Sequence, residues 1–402
     1  MELGQGSLES VELTPEFWRD KRVLLTGHTG FKGSWLSLWL QSLGANLLGY
    51  SLPPPTDPSL YVLAGVGPGM QSISGDVLDL EHLRRVMGEF QPQIVFHLAA
   101  QSLVRRSYAD PIGTFSTNVL GTANVLEAVR SAPAVQAVVI VTTDKCYENH
   151  SFATQGYATQ GYQNLSYQNL GYQNHEHHKA FRESDRLGGF DPYSSSKAAA
   201  ELVTAAFRQS FFSSGERGAN PGIATARAGN VVGGGDWAAD RLVADVMRAA
   251  IDGGEILIRN PHAVRPWQHV LDPLCGYLML TERLCADPGR FSGAWNFGPD
   301  QTEAVQVSEV LNRLRDLWGQ SVAWPVRGNH RDHPHETAYL SLDCTKAKLQ
   351  LGWTPQWNLN IALEATVRWY KAYQAHQDVR RLAQEQIQSY QSGVTLSAIS
   401  RQ

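Results

Sequence analysis

The sequence predicts an α/β fold: a doubly wound parallel sheet followed by a smaller C-terminal α/β substrate domain. Two observations lead to this prediction. Short apolar segments alternate with helical segments over the first half of the chain, which is typical of parallel strands buried on both faces. A glycine-rich turn within the stretch Thr26 to Trp35 (TGHTGFKGSW) joins the first apolar segment to the first helix.

Bulk properties limit the possible partners and location. The chain has 402 residues, 18% of them charged, and a net charge of −4 without a long basic run, so nucleic acid is not expected as a partner. No apolar run reaches the roughly 18 residues of a membrane span. Four cysteines without metal spacing and a polar N-terminus favour free thiols in the cytoplasm and no metal site. The predicted divisions are a leader (1–19), a nucleotide-binding domain (20–228), a second domain that interleaves with it (229–375) and a polar tail (376–402).

The glycine turn predicts a dinucleotide site. The first strand, Val23 to Leu25, is followed by Gly27, Gly30 and Gly33 in a G-x-x-G-x-x-G spacing. Glycines let the backbone approach a pyrophosphate, and the N-terminus of the next helix offers free N–H groups and a partial positive charge. This arrangement is typical of a Rossmann-type sheet.

The next two strands leave the choice of dinucleotide open. After the second strand, Ala45 to Tyr50, no carboxylate appears before Asp57 to bind the adenosine ribose of NAD, and no arginine appears for a 2′-phosphate. By this rule the sequence does not choose between NAD and NADP. Asp76, which we place at the end of the third strand, either binds adenine, with Val77 packing on the ring, or caps the helix Leu80 to Phe90.

The fourth and fifth strands deliver further candidates. The fourth strand and its exit (residues 94–101) place the small residues Ala99 and Ala100 where a cofactor could approach, and His97 is interpreted as a core histidine. Asn118 lies in the following helix and is either a bridge near the site or a surface residue. The fifth strand, Val138 to Val141, leads into Thr142-Thr143-Asp144-Lys145 at the edge where ligands bind in open parallel sheets.

A tyrosine repeat interrupts this pattern. Tyrosines recur every five residues from Tyr157 to Tyr172, which matches neither helix nor strand periodicity, and almost no aliphatic residues accompany them. We predict a disordered low-complexity insert over residues 150–178, with a tyrosine-rich interaction patch as the alternative.

Tyr193 and Lys197 form the next candidate pair. Pro192 is suited to start a helix, and the four-residue spacing places both side chains on one face of it. A phenol with a pKa near 10 is a poor base at neutral pH, and a nearby ammonium group favours the phenolate. The remaining chain predicts a strand at 223–227, helices at 242–251, 272–285, 307–318 and 359–373, and short strands at 255–259 and 295–299.

These motifs resemble those of the extended short-chain dehydrogenase/reductases, and within them the nucleotide-sugar 4,6-dehydratases that act on CDP-glucose. The resemblance spans nearly all of residues 17–370. The motifs that carry it are TGHTGFKGSW (26–35), TTDKCYEN (142–149), DPYSSSK (191–197), RAGNVVGGGDW (227–237), RPWQHV (265–270) and LGWTP (351–355).

The resemblance implies a redox-neutral dehydration that uses tightly bound, recycled NAD. Tyr193 would be the base at the C4 hydroxyl, Lys197 would stabilise its phenolate, and Thr143 would bind the C4 oxygen. Asp144 would be the acid at C6 and Lys145 the base at C5; the alternative is a structural ion pair between them. Implied cofactor contacts are Gly27, Thr29, Gly30, Phe31, Gly33, Asp76, Val77, Leu98, Ala99, Ala100, Asn118, Tyr193 and Lys197. Implied substrate contacts are Gln101, Asn230, Arg241 and Arg265, where Arg241 could equally be a surface residue.

Alternative functions and the assembly follow from the same resemblance. A sugar-nucleotide epimerase would need Tyr193, Lys197 and Thr143 but no acid/base pair for elimination. A non-catalytic NAD-binding scaffold would need none of them. We expect a homodimer or a dimer of dimers, paired through the Asn118 and Tyr193 helices.

Overall fold

The computed structural model describes residues 13–148, 180–213, 220–254, 256, 258, 260–300, 303–319 and 339–393. The tyrosine repeat lies outside the described residues, and the strand predicted at 255–259 lies partly outside them.

A seven-stranded parallel sheet forms the centre of the molecule and confirms the predicted fold class. Its order is β3-β2-β1-β4-β5-β6-β9, so successive strands are added on one side of β1 up to β3 and on its other side from β4 onward. The strand order therefore reverses between β1 and β4. Ligands bind at such a reversal, beyond the carboxyl ends of the strands. The strands are β1 Arg22–Thr26, β2 Asn46–Ser51, β3 Gln71–Ser74, β4 Ile94–His97, β5 Ala137–Val141, β6 Gly222–Ala228 and β9 Gly293–Phe297.

A second, three-stranded sheet has the order β10-β8-β7. Its strands are β7 Asn230–Val232, β8 Val264–His269 and β10 Ala304–Gln306. Strand β9 lies between β8 and β10 in sequence but pairs with β6 of the large sheet. The C-terminal part of the chain therefore supplies the last strand of the large sheet.

Helices flank both sheets. Their bounds are α1 Pro15–Trp18, α2 Phe31–Ser42, α3 Leu60–Leu63, α4 Leu80–Phe90, α5 Val104–Ala109, α6 Pro111–Phe115, α7 Gly121–Arg130, α8 Pro192–Phe211, α9 Leu242–Asp252, α10 Leu271–Ala286, α11 Pro288–Phe291, α12 Val307–Trp318, α13 Thr345–Leu351, α14 Leu359–Gln374 and α15 Val379–Ser392. Helices α6 and α7 are joined by a π-helical turn, Ser116–Leu120.

The first and last described segments both pack against the core. Trp18, placed in the predicted leader, is fully buried and stacks on Phe96 of β4. Within the predicted polar tail, α15 buries one face, and its Tyr390 hydroxyl donates to the buried Asp272 carboxylate at 2.7 Å. Arg380 donates to the carbonyl oxygen of Ala64. Residues 379–392 of the predicted polar tail thus form a helix with one buried face.

Candidate active site

A cavity of about 1530 Å³ opens at the carboxyl edge of the large sheet. It is lined by the glycine turn, the exits of β3, β4 and β5, the start of α8 and the loop that follows β7. The cavity lies at the point between β1 and β4 where the strand order reverses, and the fold predicts ligand binding there. Of the predicted site residues, all but Asn118 line this cavity.

The glycine turn has the shape that a pyrophosphate site requires. Gly27 has a φ of +75°, and a Cβ there would lie 2.6 Å from the Ala99 backbone nitrogen. A Cβ on Gly33 would lie 2.1 Å from the Gly27 carbonyl oxygen. Helix α2 begins after Gly30, which provides no side-chain cap. The first N–H groups of the helix are therefore available to an anion, and the turn fits the diphosphate of a dinucleotide.

The ends of β2 and β3 form the adjacent wall. Thr29 Oγ1 lies 2.8 Å from Ser51 Oγ, which occupies the end of β2 where an acidic residue would bind the ribose. Asp76 Oδ1 accepts a hydrogen bond from the Leu78 backbone at 3.0 Å. Helix α4 is capped by Asp79. The alternative reading of Asp76 as that helix cap is therefore wrong, and Asp76 lines the cavity.

Asn118 is buried and does not line the cavity, so its reading as a surface residue is wrong, and its predicted cofactor contact stays a prediction. Its side chain is buried in the π-helical turn; Oδ1 accepts from the Gln101 backbone N–H, and Nδ2 donates to the Gln101 carbonyl oxygen and to Ser196 Oγ. The side chain of Gln101 bonds within its own loop, to Leu103 and Thr114. The amide of Asn118 therefore supports the wall of the cavity from behind.

Thr143, Asp144 and Lys145 follow β5 as predicted. The Thr143 hydroxyl donates to Asp144 Oδ1 at 3.0 Å, whereas Asp144 Oδ2 is buried and forms no hydrogen bond with any described residue. Burial raises the pKa of Asp144 to about 6, against the opposing effect of the nearby Lys145 charge. No ion pair joins Asp144 and Lys145 in the described part of the chain, so the structural ion pair is not formed. The orphan oxygen is suited to meet a ligand.

Tyr193 and Lys197 project from the first turns of α8 and are both buried. Lys197 Nζ donates to the Val141 carbonyl oxygen at 3.0 Å. Burial lowers the pKa of Lys197 to about 8 and raises the pKa of Tyr193 to about 12, while contact with Thr143 acts in the opposite direction on Tyr193. Burial therefore has the largest effect on the pKa of Tyr193, and the predicted support of the phenolate by Lys197 stays a prediction.

Lys32 is a site residue that the motif reading missed. It lies between Gly30 and Gly33 and lines the cavity. Burial, followed by the positive charge of Arg241, lowers its pKa to about 7, and the charge of Asp144 acts in the opposite direction. The sequence signal for Lys32 was its position, because a lysine inside a phosphate-binding turn places a positive charge next to the bound phosphate.

The predicted substrate residues also line the cavity. Asn230 begins β7, and Arg265 is buried on the neighbouring strand β8. Arg241 is one-third exposed; it donates to Asp236 at 3.1 Å and to Ser102 Oγ at 2.9 Å, across the mouth of the cavity. Two guanidinium groups and one amide therefore line the same cavity as the catalytic candidates.

A buried ion pair joins α8 to β6 next to the site. Glu201 lies one helical turn after Lys197 on α8 and accepts hydrogen bonds from Arg227 at 2.8 and 3.0 Å. Its carboxylate also accepts from the Thr142 and Thr225 hydroxyls. The sequence reading did not identify this pair, because its members come from α8 and β6.

Comparison with known proteins decides the family. The model of the NAD dependent epimerase/dehydratase family matches residues 23–296, more than half of the chain. The chain belongs to this family.

The chain is also similar to individual members of this family in sequence and in structure. The chain is 45% identical to the CDP-glucose 4,6-dehydratase of Salmonella typhimurium, over 94% of this chain and 98% of the relative. Among solved structures, the dTDP-glucose 4,6-dehydratase of Streptomyces venezuelae with NAD bound is 23% identical, with a TM-score of 0.70 over 89% of this chain and 99% of that one. The UDP-glucose 4-epimerase of Thermotoga maritima is 20% identical, with a TM-score of 0.70 over 88% and 99% of the two chains. These two structures share the fold.

The family assignment agrees with the structure of the site. The glycine turn fits the dinucleotide for which the family is named, and Thr143, Tyr193 and Lys197 reach the same cavity. In the part of the chain that the structure covers, no helix combines the length and apolar character needed to cross a bilayer.

Proposed function

We propose that this protein is a hydro-lyase that converts CDP-D-glucose to CDP-4-dehydro-6-deoxy-D-glucose. The observation that carries the proposal is Asp144, a buried carboxyl group with an Oδ2 that is unpaired among the described residues, which lines the cavity together with Thr143, Tyr193 and Lys197. An elimination needs such an acid in addition to the groups that oxidise an alcohol. The 45% identity to a CDP-glucose 4,6-dehydratase over nearly the full length supports the choice of substrate.

Tyr193 removes the proton of the C4 hydroxyl. The Thr143 hydroxyl, which donates to Asp144 Oδ1 in this structure, would turn to hold the C4 oxygen by a hydrogen bond. Lys197 stabilises the phenolate and binds the ribose next to it, because its position one turn after Tyr193 presents both groups on one helix face. NAD supplies, when bound, a hydride acceptor and donor together with a positively charged ring that favours the phenolate. The glycine turn and the first turn of α2 hold its diphosphate.

Asp144 gives a proton to the departing C6 hydroxyl, and Lys145 removes the proton at C5. The 4-ketone makes the C5 proton acidic, so that water is lost across C5 and C6. The hydride taken from C4 would then be returned to C6 and a proton to C5, which gives the 6-deoxy product with no net redox change. Asp144 is suited to the acid role because burial raises its pKa to about 6, which keeps part of it protonated near neutral pH.

Substrate recognition uses the polar side chains that line the cavity. Arg265 and Arg241 neutralise the diphosphate, Asn230 donates to it, and Gln101 lies beside the sugar. The contacts of Arg241 with Asp236 and Ser102 must rearrange for this. The choice of cytosine rests on the similarity to the Salmonella relative.

Each of the two alternative functions leaves some residues of the site without a role. A sugar-nucleotide epimerase leaves Asp144 without a role, although burying this carboxyl group is unfavourable. A non-catalytic scaffold leaves Thr143, Tyr193 and Lys197 without one. Incubation with CDP-, dTDP-, UDP- and GDP-hexoses tests the proposal, because a 4-keto-6-deoxy product absorbs ultraviolet light in base. We expect product from CDP-glucose, and product from dTDP-glucose alone would refute the assignment.

The cellular setting and assembly belong to the same proposal. The product is a precursor of deoxysugars in surface polysaccharides such as lipopolysaccharide, made in the cytoplasm. A homodimer, alone or as a dimer of dimers, would cover the apolar side chains exposed on neighbouring helices: Ile112, Phe115, Leu120 and Leu202. We expect Leu202→Asp to convert the assembly to monomers in light scattering. An unchanged mass would contradict this interface.

A further inference from the structure

A continuous chain of buried hydrogen bonds runs from the glycine turn to the catalytic helix. The Ala99 backbone N–H donates to Thr26 Oγ1 at 3.3 Å, and Thr26 Oγ1 lies 2.7 Å from His97 Nδ1. On the other side of the ring, His97 Nε2 lies 3.2 Å from Thr122 Oγ1. Thr26, His97 and Thr122 are all buried.

The chain continues through Asn118 to the backbone of Tyr193. The Thr122 hydroxyl donates to the Asn118 carbonyl oxygen at 2.7 Å. Asn118 Nδ2 donates to Ser196 Oγ at 2.8 Å, and the Ser196 hydroxyl donates to the Tyr193 carbonyl oxygen at 2.7 Å. Four separate segments are thereby linked: the ends of β1 and β4, the α6–α7 region and α8.

The directions of these bonds define a single state of the histidine. The one proton of Thr122 Oγ1 is used toward Asn118, so Thr122 must accept from His97 Nε2–H. Nδ1 then carries no proton and accepts from the Thr26 hydroxyl. Burial, together with the nearby Lys197 charge, lowers the pKa of His97 to about 3, which keeps the ring neutral.

We propose that Thr26, His97 and Thr122 are positioning residues that set Tyr193 against the dinucleotide turn. This inference rests on the proposed function, because it assigns the chain a role in the alignment of the C4 oxidation. Thr26 directly precedes Gly27, whose turn packs closely on Ala99. A shift of the ring would therefore move the turn and, through Asn118 and Ser196, the backbone of Tyr193. The chain ends on carbonyl oxygens, so it fixes geometry and does not conduct protons to the site.

Two isosteric variants separate positioning from stability. Thr122→Val removes the hydroxyl between His97 and Asn118. Thr204→Val is the matched control, because Thr204 is equally buried on α8 and its hydroxyl donates to the carbonyl oxygen four residues earlier, also at 2.7 Å. Both variants lose one buried hydroxyl in a helix, and melting temperature measures the stability that each loses.

We expect Thr122→Val to lower kcat on the order of tenfold with KM for CDP-glucose nearly unchanged, because misalignment affects the transition state more than binding. The kinetic isotope effect with C4-deuterated substrate should rise. Thr204→Val should keep the kcat and isotope effect of the wild type. If both variants retain wild-type kcat and isotope effect, the positioning role is refuted.

A measurement independent of turnover checks the same chain. Nitrogen-15 NMR of the histidines should show His97 as the Nε2-protonated neutral ring, without titration between about pH 5 and pH 8. A titrating ring or the other tautomer would overturn the proposed chain. Failure of the wild type to dehydrate CDP-glucose would instead refute the proposed function, and the NMR result would still decide the hydrogen-bond chain.

Discussion

Replacement of Asp144 by asparagine should lower the rate of dehydration and raise the free energy of unfolding at pH 7. The structure raises the pKa of this carboxyl from 3.8 to about 6 because it is buried. At pH 7 a group of pKa near 6 is about 9% protonated, whereas one near 3.8 is about 0.06% protonated, a difference of more than about 100-fold in the acid form. Asp144→Asn removes the acid entirely, so we expect dehydration to fall by at least about 100-fold.

The same shift determines the sign of the stability change. Because the pKa of Asp144 in the folded state lies above its unfolded value, protonation favours the folded state, and stability is lost as pH rises from about 4 to above about 6. The loss is on the order of 3 kcal/mol above that range. Asparagine cannot ionise, so the variant should be more stable than the wild type at pH 7 and nearly equal to it below about pH 4.

A second buried carboxyl provides the control. Asp272 is fully buried at the start of α10, does not line the cavity, and has a pKa raised to about 7 by burial. Asp272→Asn should also be more stable at neutral pH, but its turnover should match that of the wild type. Denaturant unfolding at several pH values and the product assay measure both properties.

The pH dependence of the wild type completes this test. If Asp144 is the acid, kcat/KM for CDP-glucose should fall above about pH 6 by close to tenfold per pH unit, because kcat/KM reports the pKa values of the free enzyme. In Asp144→Asn, oxidation at C4 can still occur. We therefore expect absorbance near 340 nm from one equivalent of reduced NAD, without the 4-keto-6-deoxy product. Asp144→Asn with wild-type turnover and an unchanged pH profile would refute the reasoning.

Three further variants test other parts of the structure. Tyr193→Phe should abolish turnover while NAD remains bound, as measured by fluorescence titration; substantial activity would refute Tyr193 as the base. Gly33→Ala should weaken NAD binding by at least about tenfold, since its Cβ would lie 2.1 Å from the Gly27 carbonyl oxygen; wild-type affinity would contradict the assigned turn. Tyr390→Phe removes the 2.7 Å bond to Asp272 and should lower the free energy of unfolding by about 1–3 kcal/mol. An unchanged unfolding midpoint would show that α15 does not depend on this contact.

Local sequence signals predicted most of the fold. The glycine turn, the apolar strands and the four-residue spacing of Tyr193 and Lys197 depend on neighbours in sequence, and the structure shows each element near its expected position. Helix α4, Leu80–Phe90, has the predicted bounds, although its cap is Asp79. Most predicted site residues meet in one cavity because the carboxyl ends of parallel strands share an edge.

The differences arise from contacts between distant segments. The pairing of β9 with β6 has no local signal, and neither does the commitment of the Asn118 amide to Gln101 and Ser196. The pKa of Tyr193 depends on burial, which spacing alone does not reveal. Helix α15 did carry a pattern, since its buried residues recur at helical spacing, but its polar composition concealed them.

The pairing of β9 with β6 has a consequence for synthesis and for truncation. Strand β6 is buried along its whole length, yet its outer edge is covered only after residues 293–297 have been made. A nascent chain that ends before β9 exposes unpaired backbone groups on an apolar strand, which is a template for aggregation. A fragment ending at residue 228 should therefore aggregate, although it contains the complete dinucleotide turn. Chaperone binding during translation would protect this edge until the second half of the chain emerges.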